Sequence, residues 1–212
     1  MNRENRSIAL QNFLENQLRE WDAAIRSRPN EPKAYIQRGM VNFKLAKIAQ
    51  SIQDFDTAEK LDTRLTPYLW QRGLSFYYAE RFEEGAKQFE IDLTVNARDV
   101  EETVWRYLCI ARQHGATEAR NSLLAVKNDP RQVMRRVWEL YAGNCAPEDV
   151  IAAGKIDGRR GVFYSHLYVG LYWEADSDMA GAREYIAKAV EWDLDDYMWY
   201  LARVHLVVRG WV

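Results

Sequence analysis

A chain of 212 residues, 48% hydrophobic and 28% charged, is long enough for one extended domain or two small ones and too apolar to remain disordered throughout. Twenty-nine Lys and Arg against 31 Asp and Glu leave a formal charge of −2, without the basic surplus that nucleic-acid binders set against phosphate. No run reaches the roughly 18 to 20 apolar residues of a membrane span, and Met1 to Ser7 is too polar to lead a secretory signal.

In chain order, Asn12–Ser27 reads as a helix carrying Trp21 and Ala24, with Pro29 just beyond. Two stretches then align without a gap, Ala34-Tyr-Ile-Gln-Arg-Gly39 and Tyr68-Leu-Trp-Gln-Arg-Gly73. Their glycines are 34 residues apart, and Phe55 and Phe89 keep the same spacing. One period before Phe55 and Ala58 stand Trp21 and Ala24, so the first helix is predicted to be the second half of an incomplete unit. In each full unit the glycine lacks a Cβ and lets the first helix approach the second. Ser51, Ala58 and Gly85 keep the facing side small, with Asp92 where a small residue is expected. Phe55 and Phe89 are predicted to fill the space between units.

The middle is predicted as further helices. Glu101–Arg112 carries Val104, Leu108 and Ala111 at helical spacing, followed by Ala116–Val126 and Arg131–Tyr141. Asn128-Asp129-Pro130 is a turn, Gly143-Asn144 ends the third helix, and Ala146-Pro147-Glu148-Asp149 begins a short one. Lys155–Gly161, with two glycines and two arginines, is predicted to be a flexible loop. A further match follows in Tyr168-Val-Gly170-Leu-Tyr-Trp with Ala182, Ile186 and Ala189. Gly170 lies 97 residues after Gly73, five short of three periods, so the middle departs from the strict repeat. Asp195-Asp196 opens a last helix through Val208, predicted to cap the stack. No strand is predicted.

A 34-residue helix-turn-helix unit of this pattern resembles the tetratricopeptide (TPR) family. In-register repeats, a degenerate middle around Glu102-Thr-Val-Trp-Arg-Tyr-Leu108, and a detached last repeat with a capping helix are similar to the bacterial NlpI-type TPR proteins. The resemblance implies an all-α right-handed solenoid in one continuous domain. Its parts are a partial repeat (1–29), two regular units (30–98), degenerate hairpins (99–160) and a terminal unit with its cap (161–212). It also implies a non-enzymatic adaptor or scaffold that holds a partner protein or peptide in the concave groove. A structural homodimer, or a regulatory subunit whose chemistry lies in another chain, is the alternative. NlpI-type proteins are lipid-anchored; this chain has no cysteine near its start. The expected location is the cytoplasm or another soluble compartment.

By the same resemblance the groove residues are Lys33, Ile36, Gln37, Met40 and Phe43 in the first unit, and Trp70, Gln71, Leu74, Tyr77 and Tyr78 in the second. Aromatics and Met are enriched where proteins dock; the alternative is that these side chains pack against the next helix. TPR clamps for acidic chaperone tails use Lys and Asn, and Ile36, Met40, Trp70 and Leu74 do not supply them.

Nothing in the chain reads as catalytic, metal-binding or cofactor-binding. His114, His166 and His205 have no ligand-spaced neighbours. Cys109 and Cys145 form no CxxC and read as small hydrophobes, with a disulfide as the alternative. The pairs Glu83-Glu84, Glu101-Glu102 and Asp195-Asp196 sit at predicted helix starts, where the macrodipole favours negative charge. No GxSxG, P-loop or GxGxxG occurs.

Overall fold

The computed structural model describes residues 3–97, 99–126 and 129–211. Asn128 of the predicted turn, Arg98 at the end of the second unit, and Met1, Asn2 and Val212 lie outside those residues. Every regular element among the described residues is helical: α1 (Arg3–Ser27), α2 (Pro32–Lys44), α3 (Ile48–Leu61), a 3-10 helix (Thr63–Tyr68), α4 (Trp70–Tyr78), α5 (Phe82–Asp92), α6 (Val100–His114), α7 (Ala116–Asn121), α8 (Gln132–Tyr141), α9 (Pro147–Ile156), α10 (Gly158–Ala175), α11 (Met179–Val190) and α12 (Tyr197–Val208). None of them is long and apolar enough to cross a membrane.

Consecutive helices pack as hairpins, and the repeated glycines stand where two helices come closest. A Cβ built on Gly73 would lie 2.7 Å from the ring of Phe89, and one on Gly170 would lie 2.8 Å from Ile186. A Cβ on Gly39 would be less crowded, 3.2 Å from the Ser51 carbonyl oxygen and 3.3 Å from the ring of Phe55. Phe55, Phe89, Ser51 and Ala58 are all buried. The hairpin turns also repeat. Ala46, Glu80 and Ser177, each seven residues after its glycine, have φ of 56°, 59° and 68°. In each turn this left-handed residue donates its N–H to a carbonyl three back, and the next residue donates five back: Ala46 to Phe43 and Lys47 to Asn42, with the same pattern at Glu80-Arg81 and Ser177-Asp178. A side chain in this conformation is strained, so Ala46→Gly or Ser177→Gly is expected to raise stability by about 0.5–1 kcal/mol, read by urea denaturation. No gain would mean that the turn relaxes without the strain.

A ladder of arginines ties the units together. Arg38 donates to Asp22 at 2.8 Å and to Asp54 at 2.6 Å. Arg72 donates to Asp56 at 3.2 Å and to Gln88 at 2.9 Å. Arg106 donates to Glu90 at 2.8 Å and to the Ser122 carbonyl at 2.9 Å. Each arginine is 34 residues from the last, and each reaches partners 16 residues before and 16 after it. The ladder carries the period into α6 and α7, beyond the two units expected to be regular.

Two predicted elements need correction. The helix begun at Ala116 ends at Asn121, not Val126. Beyond it the Ser122 carbonyl is taken by Arg106, and the Leu124 carbonyl accepts the Trp138 indole N–H at 2.9 Å. Residues 155–161 are no loop: α9 runs through Ile156 and α10 starts at Gly158. Gly158, at φ 73°, turns the chain within one step. Gly161 lies inside α10 so close to Gly154 that a Cβ would stand 2.5 Å from its carbonyl oxygen. These glycines serve a turn and a close approach rather than flexibility.

Helix α12 packs on α11 and also against α2 near the other end of the array. The Tyr197 ring stacks on Phe43 at 5.5 Å and meets Trp70 edge-on at 5.4 Å. His205 Nδ1 is 3.0 Å from the Tyr78 hydroxyl. The face expected to form an open groove is thereby largely covered by the chain's own helix.

Candidate functional site

That covering fixes where the ten expected groove residues lie. Phe43, Leu74, Tyr77 and Tyr78 are buried in the core, and Gln71 is nearly so, donating to the Met40 sulfur at 3.8 Å. Ile36, Gln37 and Met40 are half-buried and Lys33 is exposed. Trp70 is half-buried and lines a cavity.

This space is a cavity of about 570 Å³ where several helix starts meet. Tyr68 and Trp70 flank the start of α4. Asp99, Glu101, Glu102 and Trp105 belong to the start of α6, Arg160 and Tyr164 to that of α10, and Asp196, Tyr197 and Met198 to that of α12. Tyr68, 61% exposed, and Val95, 48% exposed, stand at its mouth. Volumes of this order are typical of ligand pockets.

Four carboxyl groups line the cavity, and three have resident partners. Asp99 caps α6 by accepting the Glu101 N–H at 2.7 Å. Asp196 caps α12 by accepting the Met198 N–H at 2.9 Å, and pairs with Arg160. Glu101 pairs with Arg131 and accepts the Tyr168 hydroxyl at 3.0 Å. Burial nonetheless pushes the Glu101 carboxyl up to about 7, against the pull of Arg131.

Glu102 is different. It is 7% exposed, its Oε1 accepts a long 3.3 Å bond from Asn96, and its Oε2 has no protein partner. Burial, reinforced by the nearby Asp99, pushes its carboxyl up to about 8, and Asn96 offsets only part of this. Trp105, 2% exposed, points a buried indole N–H at no acceptor, and the Tyr197 hydroxyl is also without a partner. Buried polar groups are ordinarily paired, and three of the unpaired ones belong to residues that line this cavity. Glu101 and Glu102 do occupy the first turn of α6, as their predicted helix-end role requires. The burial of Glu102 was not visible in the sequence, because it arises from packing between helices and not from the local pattern of α6.

Deeper, a second polar cluster joins α4, α6, α10 and α12. Glu174 accepts the Tyr77 hydroxyl at 2.8 Å and the Arg209 Nε at 2.5 Å, with Arg112 at 3.7 Å and His205 Nε2 at 3.6 Å. Glu174 and His205 are buried, so this cluster is internal. Cys109 and Cys145 are both free, the first in the core and the second half-buried. Among the described residues no three His, Cys, Asp or Glu side chains come together in an arrangement that would hold a metal ion. No protein-family model matches the chain, and no curated protein matches it.

Proposed function

We propose that this chain is a tetratricopeptide-type adaptor, without catalytic activity of its own, that holds a segment of a partner protein at the cavity between α4, α6, α10 and α12. The 34-residue spacing of glycines, hairpin turns and arginines supports the repeat assignment. The observation that carries the binding role is the cavity itself. It is where α12 leaves the face of α4 and α6 open, and it is walled by Tyr68, Trp70, Tyr164 and Tyr197, side chains of the kind that anchor interfaces. Rings and hydrogen-bonding groups stand together there with no nucleophile placed beside a base, which fits holding better than turnover.

The test is a pull-down from native extract with the wild type and a Tyr68→Ser/Val95→Arg variant in parallel. Both residues are exposed at the mouth, so the variant is expected to keep the wild-type thermal midpoint. A protein retained by the wild type and lost at least tenfold by the variant supports the reading. Equal recovery moves the interaction away from the cavity, towards self-association through the exposed Ile8 and Phe13 of α1.

A further inference from the structure

Resting on that reading, we infer that the cavity recognises a positively charged side chain, lysine or arginine, in an extended segment of the partner, with Glu102 as its counter-ion. The lining selects for a cation. Aromatic faces attract cations, and the chain already uses these rings in that way: Arg160 lies over Tyr164 at 5.8 Å and Lys44 over Tyr197 at 5.6 Å. Among the described residues Arg160 is the one cation in the wall, and it is engaged by Asp196. Of the carboxyl oxygens in the wall, Glu102 Oε2 is buried and unengaged, so an ammonium or guanidinium gains a partner when the carboxyl turns towards the cavity.

Two observations favour a peptide over a bare amine. The Trp105 indole N–H is a donor that no cation satisfies but a backbone carbonyl does. The 570 Å³ volume, open past Tyr68 and Val95, has room for main chain beside the charged side chain.

Binding is coupled to a proton. With the site empty, Glu102 holds its proton up to about pH 8. When the cation arrives the carboxyl ionises, the proton leaves to solvent, and the ion pair takes its place. The charged and titratable groups facing Glu102 are Asp99 and Glu101 on its own helix start, with Arg131 behind Glu101, Asp92 on α5, Arg160 and Tyr164 on α10 and Asp196 on α12. Below about 8 the proton must be displaced, so affinity rises with pH, by at most tenfold per unit, and levels off above it.

The experiment titrates the full chain with end-blocked Gly-Ser-X-Ser-Gly peptides, X being Arg, Lys, norleucine or Glu, and with free agmatine. The readout is the Trp105 indole ¹H–¹⁵N signal, assigned with Trp105→Phe. Arginine and lysine peptides are expected to bind about tenfold or more tighter than the norleucine peptide, with affinity rising from pH 6 to 8. Glu102→Gln should abolish both the preference and the pH dependence. This variant is also expected to be more stable than the wild type at pH 9, because the buried charge is gone, which separates lost binding from lost folding. Equal binding of the norleucine peptide, or a preference for the Glu peptide, overturns the cation inference and leaves the adaptor reading standing. Agmatine binding as tightly as the peptides overturns the peptide as occupant. Silence from every probe overturns the inference, and the pull-down with Tyr68→Ser/Val95→Arg then decides the adaptor reading separately.

Discussion

Glu174→Ala is expected to lower stability by about 3–5 kcal/mol, the usual result of removing one partner from a buried ion pair. For a chain of this length, at roughly 2–4 °C per kcal/mol, the thermal midpoint drops by roughly 10 °C. The carboxylate, on α10, holds Tyr77 of α4, Arg112 of α6, and His205 and Arg209 at the end of α12. Its removal leaves the mostly buried Arg209 guanidinium with no counter-charge among the described residues, while Arg112 keeps Glu80 at 3.7 Å. A double replacement, Glu174→Leu with Arg209→Leu, removes charge of both signs and is expected to recover at least half of the loss. Failure of the single variant to destabilise by more than 1 kcal/mol would mean that water already screens the cluster. The same cluster sets an acid limit. Burial pushes His205 down to about 4, against Glu174 and helped by Arg209 and Arg112. Between about 6.5 and 4 the unfolded chain therefore binds a proton that the folded chain refuses. The stability this neutral ring contributes is full above about 6.5 and is lost as pH falls towards 4. NMR titration of the ring gives the folded midpoint directly, and a value near 6.5 would contradict the burial.

Phe89→Ala is the second large effect, a loss of about 3–5 kcal/mol in urea denaturation. The ring is buried under the bare Cα of Gly73, within 2.7 Å of where a Cβ would stand, so glycine and ring form one fitted contact. Gly73→Ala alone is expected to destabilise because its methyl would stand 2.7 to 3.0 Å from three atoms of the ring. Combined with Phe89→Leu, it should cost clearly less than the two single losses added together, since the smaller side chain makes the room that the methyl needs. Strict additivity would refute the contact. Phe13, 51% exposed on α1, is the control, and its replacement by alanine should change stability by less than about 0.5 kcal/mol.

The all-helical class and the hairpins were legible because they depend on local spacing. Gly39, Gly73 and Gly170 with their facing Phe55, Phe89 and Ile186 are sequence signals of close helix contact, and the structure has those contacts. The arginine ladder is equally present in the sequence, where Arg38, Arg72 and Arg106 share the period although Tyr107 replaces the glycine in α6. The composition of Lys155–Gly161 predicts a loop where the structure has a turn and a close helix contact, because glycine permits both flexibility and close approach and composition does not separate them. The cavity was not legible. It is assembled from helix starts as distant as Tyr68 and Asp196, and no local pattern announces that α12 lies on α2. For the same reason the expected groove residues resolve into core and surface only once that helix is in place.

The contact of α12 with α2 changes what kind of array this is. In an open stack each unit touches only its neighbours, and units can be added or removed with a roughly constant effect per unit. Here Tyr197 joins Phe43 and Trp70, pairing residues more than 120 positions apart. Inserting or deleting one 34-residue hairpin between them would carry α12 off its seat and pull apart the wall that holds Glu102. Repeat number is therefore a closed quantity in this fold, fixed by geometry as the number of strands is fixed in a barrel, and the two halves of the chain are bound to unfold together.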